Sequence, residues 1–409
     1  MLAILSTHPI QYQVPLWQAL AKAGTVPFEV WYLSKHGTDV SYDREFGKSF
    51  AWDLDLLAGY PHRFLSVNEN SNVSSFNKLR LTQSLQPLLR EHNVSALWVQ
   101  GWHVRAYWQA VRQAHNAGVQ VWMRGESNDL APASKWKQPA KQLMLRQLFG
   151  RVDKFLYIGS ANRRLYESYA VATDNLHPAP YCVDNDRFVE QGDALRSQRA
   201  EIRRAWNIPE NALCVLFAAK FVEKKRPFDL INAIKHLRTD RSVHLLFVGS
   251  GELGESMRNA CNVVFDADGM AGGGNGPAAT FAGFLNQRDI SKAYVAADCL
   301  VLPSDHRETW GLVVNEAMAS GLPCIVSDAC GCADDLVAPI RSKARFAMGD
   351  TNALAAALID AIETPIDSTT VRNQVKKFDQ QITINTVRQL FRSTHHQPVE
   401  SSMPAALVS

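Results

Sequence analysis

"CLVLPSDHRETWGLVVNEAMASGLPCIVSD", residues 299–328, is the stretch whose reading decides the fold. Cys299–Leu302 is a short apolar run that stops at Pro303-Ser304, and Cys324–Val326 is another. Between them a helical pattern begins near Gly311 and is closed by Gly321 and Pro323, residue types expected just past a helix C-terminus. Two strands joined through a loop and a helix form a crossover unit, which sets them parallel. Strands that are apolar throughout, rather than alternately, are covered on both faces.

The same rhythm extends in both directions. Further strands are expected at Leu2–Ser6, Phe28–Leu33, Ala96–Gln100, Val119–Arg124 and Lys154–Ile158, with helices at Leu79–His92 and Arg105–Ala117. A second series runs through Leu213–Ala218, Val243–Val248 and Ala279–Phe284 before reaching the quoted stretch. The expectation is two doubly wound α/β domains: residues 1–185, a charged linker over 186–209, residues 210–382, a final helix over 383–394, and a disordered tail over 395–409. Such sheets take ligands outside the carboxyl ends of their strands, which puts the site in the cleft between the halves.

Bulk composition narrows the class. A chain of 409 residues is too long for one ordinary core. Its net charge of +3 lacks the clustered excess that nucleic acid requires. Seven scattered cysteines, an odd number, suit a reducing compartment, and Cys330-Gly-Cys332 without a second ligand pair reads as a tight turn rather than a metal site. No apolar run is long enough to span a bilayer, and "MLAILSTHPI" reads as a first strand rather than a leader. The expected location is the cytoplasm, where the sequons at Asn72 and Asn93 carry no meaning.

Chemistry concentrates where strands hand over to helices. N–H groups at Gly311, Leu312 and Val313 would open a helix N-terminus that favours phosphate. Glu316, one turn in, suits a vicinal diol, because a carboxylate only accepts hydrogen bonds. Glu308 could serve the hydroxyls of a sugar; eight helical residues would separate the two glutamates by ~12 Å. "AAKFVEKKRPFDL" adds Lys220 at a strand end and Lys225 in the loop, two cations able to neutralise a diphosphate. Each of these residues alone also reads as an ordinary solvated side chain.

Glu308 and Glu316 enclose seven residues, and this segment resembles the E-x7-E signature of the retaining glycosyltransferases of family 4. "AAKFVEKKRPFDL" is similar to the same family's phosphate loop, and "VAADCLVLPSD" to the strand before its motif. The resemblance implies the GT-B fold, two facing Rossmann-like domains with the donor on the second. It implies that Glu308 contacts the transferred sugar, Glu316 the ribose, Gly311 to Val313 the diphosphate and sugar, and Lys220 and Lys225 the phosphates. Gly249 would lie beside the nucleotide. It further implies a UDP- or GDP-linked donor, a glycan or lipid-linked acceptor, and no metal or other cofactor. In the first half "THPIQYQVPLWQAL" stands where many members carry a Gly-Gly loop. His103 and Glu126, each at a strand end, stand where members place acceptor- or sugar-contacting residues; both read equally as packing polar side chains.

Other readings compete. Gly249-x-Gly251-x-x-Gly254 matches the dinucleotide fingerprint of an NAD-dependent oxidoreductase, but on the second strand of its domain rather than the first. Asp266-x-Asp268 and Asp53-x-Asp55 resemble metal-binding pairs, and "DGMAGGGNGP" lacks the Gly-Lys-Ser/Thr of a phosphate loop. A non-catalytic sugar-nucleotide-binding or scaffold protein would need the same site. "SKWKQPAKQLMLRQLFGR", residues 134–151, suits either an ordinary surface helix or contact with an anionic leaflet on the inner face of a membrane.

Overall fold

The computed structural model describes residues 1–38, 41–43, 48–50, 55–68, 76–131, 138–270 and 274–395. Asn72, Asp53, Lys135, Trp136, Lys137, residues 271–273 of the glycine-rich loop and the tail from 396 lie outside them. The strands are β1 Leu2–Ser6, β2 Phe28–Tyr32, β3 Ser41–Asp43, β4 Lys48–Phe50, β5 His62–Phe64, β6 Ala96–Val99, β7 Gln120–Met123, β8 Lys154–Tyr157 and β9 Leu176–Pro178. There follow β10 Leu213–Ala218, β11 Val243–Val248, β12 Asn262–Asp266, β13 Ala278–Phe281, β14 Cys299–Leu302, β15 Cys324–Ser327 and β16 Arg345–Phe346.

These make two seven-stranded sheets, β5-β2-β1-β6-β7-β8-β9 and β12-β13-β11-β10-β14-β15-β16, and a small β3-β4 ladder. Every pairing in the two large sheets is parallel. This is the expected pair of doubly wound α/β lobes. Central strands such as β1, β6, β14 and β15 are buried along their whole length, which is why their sequences are apolar without alternation.

Some boundaries differ from expectation for identifiable reasons. The helix expected over Leu79–His92 is only Gln86–Glu91, because Pro87 suits a first turn and not an interior; upstream, Leu81 bridges Val67 instead. The strand expected at Ala279–Phe284 ends at Phe281, ahead of Gly283.

The stretch expected as a linker, 186–209, is two helices, Asn185–Arg196 and Arg199–Ala205. Most of their charges are exposed, while Phe188 and Ile202, with Ile208 just beyond, join the second lobe's core. Asp184 caps the first by accepting from the Arg187 N–H. Buried Arg203 fastens the second: it donates to the carbonyls of Ala296, Glu210 and Ala212 and to the Asp298 carboxylate. The last helix, Gln380–His395, crosses back to the first lobe, where Ile384, Val387 and Leu390 pack with Leu2, Ile4 and Trp17.

Arg203→Met leaves the Asp298 carboxylate paired with Arg199 but strips the Ala296 and Ala212 carbonyls of their buried donor, which costs on the order of 1–3 kcal/mol. The urea midpoint of the second lobe should fall accordingly; an unchanged midpoint would refute this role.

Candidate active site

Strand order reverses between β10 and β14 in the second sheet, and loops that leave two such strands diverge to opposite faces, opening a crevice. A cavity of about 410 Å³ occupies that crevice between the lobes. Nine of the ten residues singled out from the sequence line it: Lys220, Lys225, Gly249, Glu308, Gly311, Leu312, Val313 and Glu316 from the second lobe, and Glu126 from the first. His103 does not.

Lys220 follows β10 and is anchored by its neighbour Phe221, which is buried against Phe217, Phe247 and Phe281. The end of β11 must come very close to it. A Cβ on Gly249, whose φ is 134°, would sit 2.0 Å from the Ala219 carbonyl oxygen. Gly311 has a φ of 107° and caps the helix Leu312–Ala319, and a Cβ there would meet Leu302 at 2.7 Å. The first N–H groups of that helix have no intrahelical acceptor, and they open on the cavity that Gly311, Leu312 and Val313 line.

Lys225 and Glu308 form an ion pair, each side chain 16% exposed. The two loops that carry them are tied through their backbones, Asp305 N–H donating to the Lys224 carbonyl at 2.9 Å. One turn into the helix, Glu316 accepts from the Tyr294 hydroxyl at 2.5 Å. Burial raises the Glu316 pKa, opposed by that hydrogen bond and by Arg187 and Gln287 nearby. Tyr294, Arg187 and Gln287 all line the same end of the cavity, and none was anticipated from the sequence.

Glu126 follows β7. Its Oε1 accepts from the Tyr181 hydroxyl and, at 3.5 Å, from that of Tyr12. Burial holds both phenols well above their usual range, so they remain donors. Neither tyrosine was anticipated; each comes from a segment remote from Glu126 in sequence. Trp310, 2% exposed, meets the Tyr181 ring at a tilt of 47°, and its indole lies where a Cβ on Gly159 of the first lobe would be. Asn128 donates to the Thr309 carbonyl and Ser160 N–H to Asp335, so the loop bearing Glu308 is held from both lobes.

His103 stands edge-on to Tyr107 near His8 and His36, outside the cavity lining. Burial lowers its pKa, partly offset by Glu126. The competing readings meet specific obstacles. The Asp266 side chain is buried and paired with Arg258, which also reaches Asp268, so both carboxylates already face a guanidinium. Asp55 caps a turn at Leu57 and Ala58. Cys330 and Cys332 are buried, with the turn between them packed on the Thr309 carbonyl.

Residues 198–378 match the family model for glycosyl transferases group 1. The group 1 match thus covers β10 to β16, Lys220, Lys225, Glu308 and Glu316 but not Glu126, and part of the helical stretch expected as a linker. A GDP-mannose-dependent alpha-mannosyltransferase of Mycolicibacterium smegmatis is 31% identical over 185 residues, 44% of this chain and 43% of that protein. The chain spans about a third of the length of the first curated relatives it matches. Among solved structures, a glycosyltransferase from Rickettsia africae superposes with a TM-score of 0.67 at 12% identity, covering 97% of this chain and 99% of that one. Anabaena Alr3699/HepE in complex with UDP-glucose gives 0.61 at 14% identity, over 96% and 98%. The fold is therefore GT-B, shared with these solved structures.

Burial, with His36 and His103 adding to it, lowers the His8 pKa to about 4, below the value of about 6.5 in an unfolded chain. As pH falls the unfolded chain takes up that proton first, so this contribution to stability is intact above pH ~6.5 and lost toward pH ~4. His8→Gln should flatten the fall in urea midpoint across that window; an unaltered fall would show that His8 does not titrate so.

Proposed function

We propose that the protein is a retaining, metal-independent glycosyltransferase that moves a sugar from a UDP- or GDP-linked donor to an acceptor hydroxyl. The observation that carries this is the convergence of Lys220, Lys225, Glu308, Glu316 and a helix N-terminus in one interlobe cavity. The group 1 match over the same residues supports it. So does the fact that a related protein is named for its GDP-mannose donor, and a structural neighbour was solved with UDP-glucose.

In this reading the pyrophosphate lies at the first turn of Leu312–Ala319, between Lys220 and Lys225. Glu316, oriented by Tyr294, accepts from the ribose hydroxyls. Glu308 accepts from the sugar, and its pairing with Lys225 fixes sugar and phosphate relative to one another. The bond from the anomeric carbon to the β-phosphate oxygen breaks with its electrons going to the diphosphate, where the lysines and helix dipole stabilise the charge. The acceptor oxygen bonds to the same face of that carbon and its proton passes to the departing phosphate oxygen. Glu126, steadied by Tyr12 and Tyr181, stands on the acceptor side and orients the incoming hydroxyl, whereas His103, beyond the cavity lining, does not reach it. The acceptor is assigned to a glycan or lipid-linked intermediate of bacterial cell-surface glycan synthesis, with the enzyme in the cytoplasm on the inner face of the membrane. No helix among the described residues is long and apolar enough to cross a bilayer.

A thermal-shift screen against UDP, GDP and their sugars tests the site, since a ligand of the folded state raises the melting point. Glu316→Ala should abolish the shift, while Glu308→Ala keeps the shift with plain nucleotide and weakens that with the sugar nucleotide. Lys220→Ala should lower transfer by about 10²–10³-fold, the scale of losing one charge-stabilising group. Equal shifts in wild type and both glutamate variants would contradict the site. Tight binding with no hydrolysis or transfer would favour a sugar-nucleotide-binding module over an enzyme.

A further inference from the structure

On the first lobe, away from the interlobe cavity, two helices face each other across a groove of about 340 Å³. One wall is a stripe of Arg105–Asn116: Arg105, Trp108, Gln109 and Arg112, at helical spacings of three, four and seven. The other comes from Gln138–Phe149 and the residues after it, through Gln147, Leu148 and Arg151. Met144 continues that second stripe, three residues before Gln147. Phe76 closes one end, its ring edge-on to Trp108.

Three guanidiniums therefore line one groove that no acidic side chain lines. Among the described residues Arg105, Arg112 and Arg151 form no ion pair, although twelve other arginines do. Arg151 donates only to the Gln147 carbonyl. Like charges gathered without a counter-charge repel one another, and the arrangement becomes favourable when an anion joins them. The planar guanidinium suits phosphate oxygens in particular. Trp108 uses its N–H on the Trp102 carbonyl, so it offers the groove an apolar surface.

The rim is apolar as well as basic. Leu143 is 61% exposed and Met144 49%, and Phe76 is also exposed, while Lys141 and Arg146 are exposed on the same helix as the first two. Exposed apolar side chains among unpaired cations form the kind of surface that lies in the interface of an anionic leaflet, apolar groups among the acyl chains and cations at the headgroups. A soluble phosphorylated ligand would need the arginines but leaves Leu143 and Met144 without a use. We propose that this groove is where the protein docks on an anionic membrane, with Arg105, Arg112 and Arg151 holding lipid phosphates. This rests on the peripheral placement proposed above and names the surface that makes it; it does not depend on the donor site.

The test is sedimentation with vesicles of equal parts phosphatidylcholine and phosphatidylglycerol, against pure phosphatidylcholine, with melting by circular dichroism to confirm folding. Wild type should bind the anionic vesicles and not the neutral ones. R105Q/R112Q/R151Q should lose about 100-fold in affinity, near fivefold for each arginine, and M144D, which keeps all three, should weaken binding less. Retained binding by the folded triple variant would overturn the groove while leaving peripheral placement standing. Absence of binding by wild type would overturn both. Inorganic pyrophosphate that protects the arginines from modification, without vesicle binding, would assign the groove to a soluble phosphate and refute the membrane.

Discussion

Everything at the candidate site depends on the pairing of β10 with β14. Val215 pairs with Cys299 and Leu216 with Leu300, across more than eighty residues of sequence. Asp298 reinforces the junction from below by accepting from Cys214 N–H and from Arg199 and Arg203. Because the chain reverses its order there, the loop with Lys220 and Lys225 and the loop with Glu308 emerge side by side. A single backbone hydrogen bond, Asp305 to Lys224, then fixes their spacing. Cations and acids that would repel or wander as isolated surface groups are held where one ligand can meet both.

The first lobe does not merely cover this site. Its Gly159 makes room for the Trp310 indole, its Ser160 N–H binds Asp335, and its Asn128 binds the carbonyl of Thr309. The loop between Glu308 and Gly311 is therefore gripped from two sides. Glu126, held by Tyr181 from the junction of the lobes, faces it across the cleft. The final helix returns to the first lobe and ties the lobes at a second place.

What the sequence made legible follows from what is local. Central strands such as Leu213–Ala218 and Cys299–Leu302 are continuous apolar runs because both faces are buried, and they stand where expected. The edge strands β5, β9 and β16 are short, β12 is mostly half-buried or exposed, and the four carry His62, His177, Arg345 and Asn262, so they give no such signal. The helices over 185–205 were hidden for a related reason: only a few apolar residues, Phe188 and Ile202 among them, mark the buried face of a charged stretch. Glu308 and Glu316 could be found because strand, glycine and helix lie within one short segment. Tyr294, Tyr181 and Tyr12 could not, since their carboxylate partners lie 22, 55 and 114 residues away. His103, expected at a strand end, lies instead in the bend between β6 and the helix Arg105–Asn116, and its ring turns to Tyr107 rather than to the cavity lining.

The most direct measurement is a crystal structure with a nucleoside diphosphate bound. The account requires its pyrophosphate to rest against the N–H groups of Gly311 to Val313, with Lys220 and Lys225 on its oxygens and the ribose at Glu316. A diphosphate bound instead at the glycine loop after β11 in the manner of a dinucleotide, or on the first lobe alone, would contradict it.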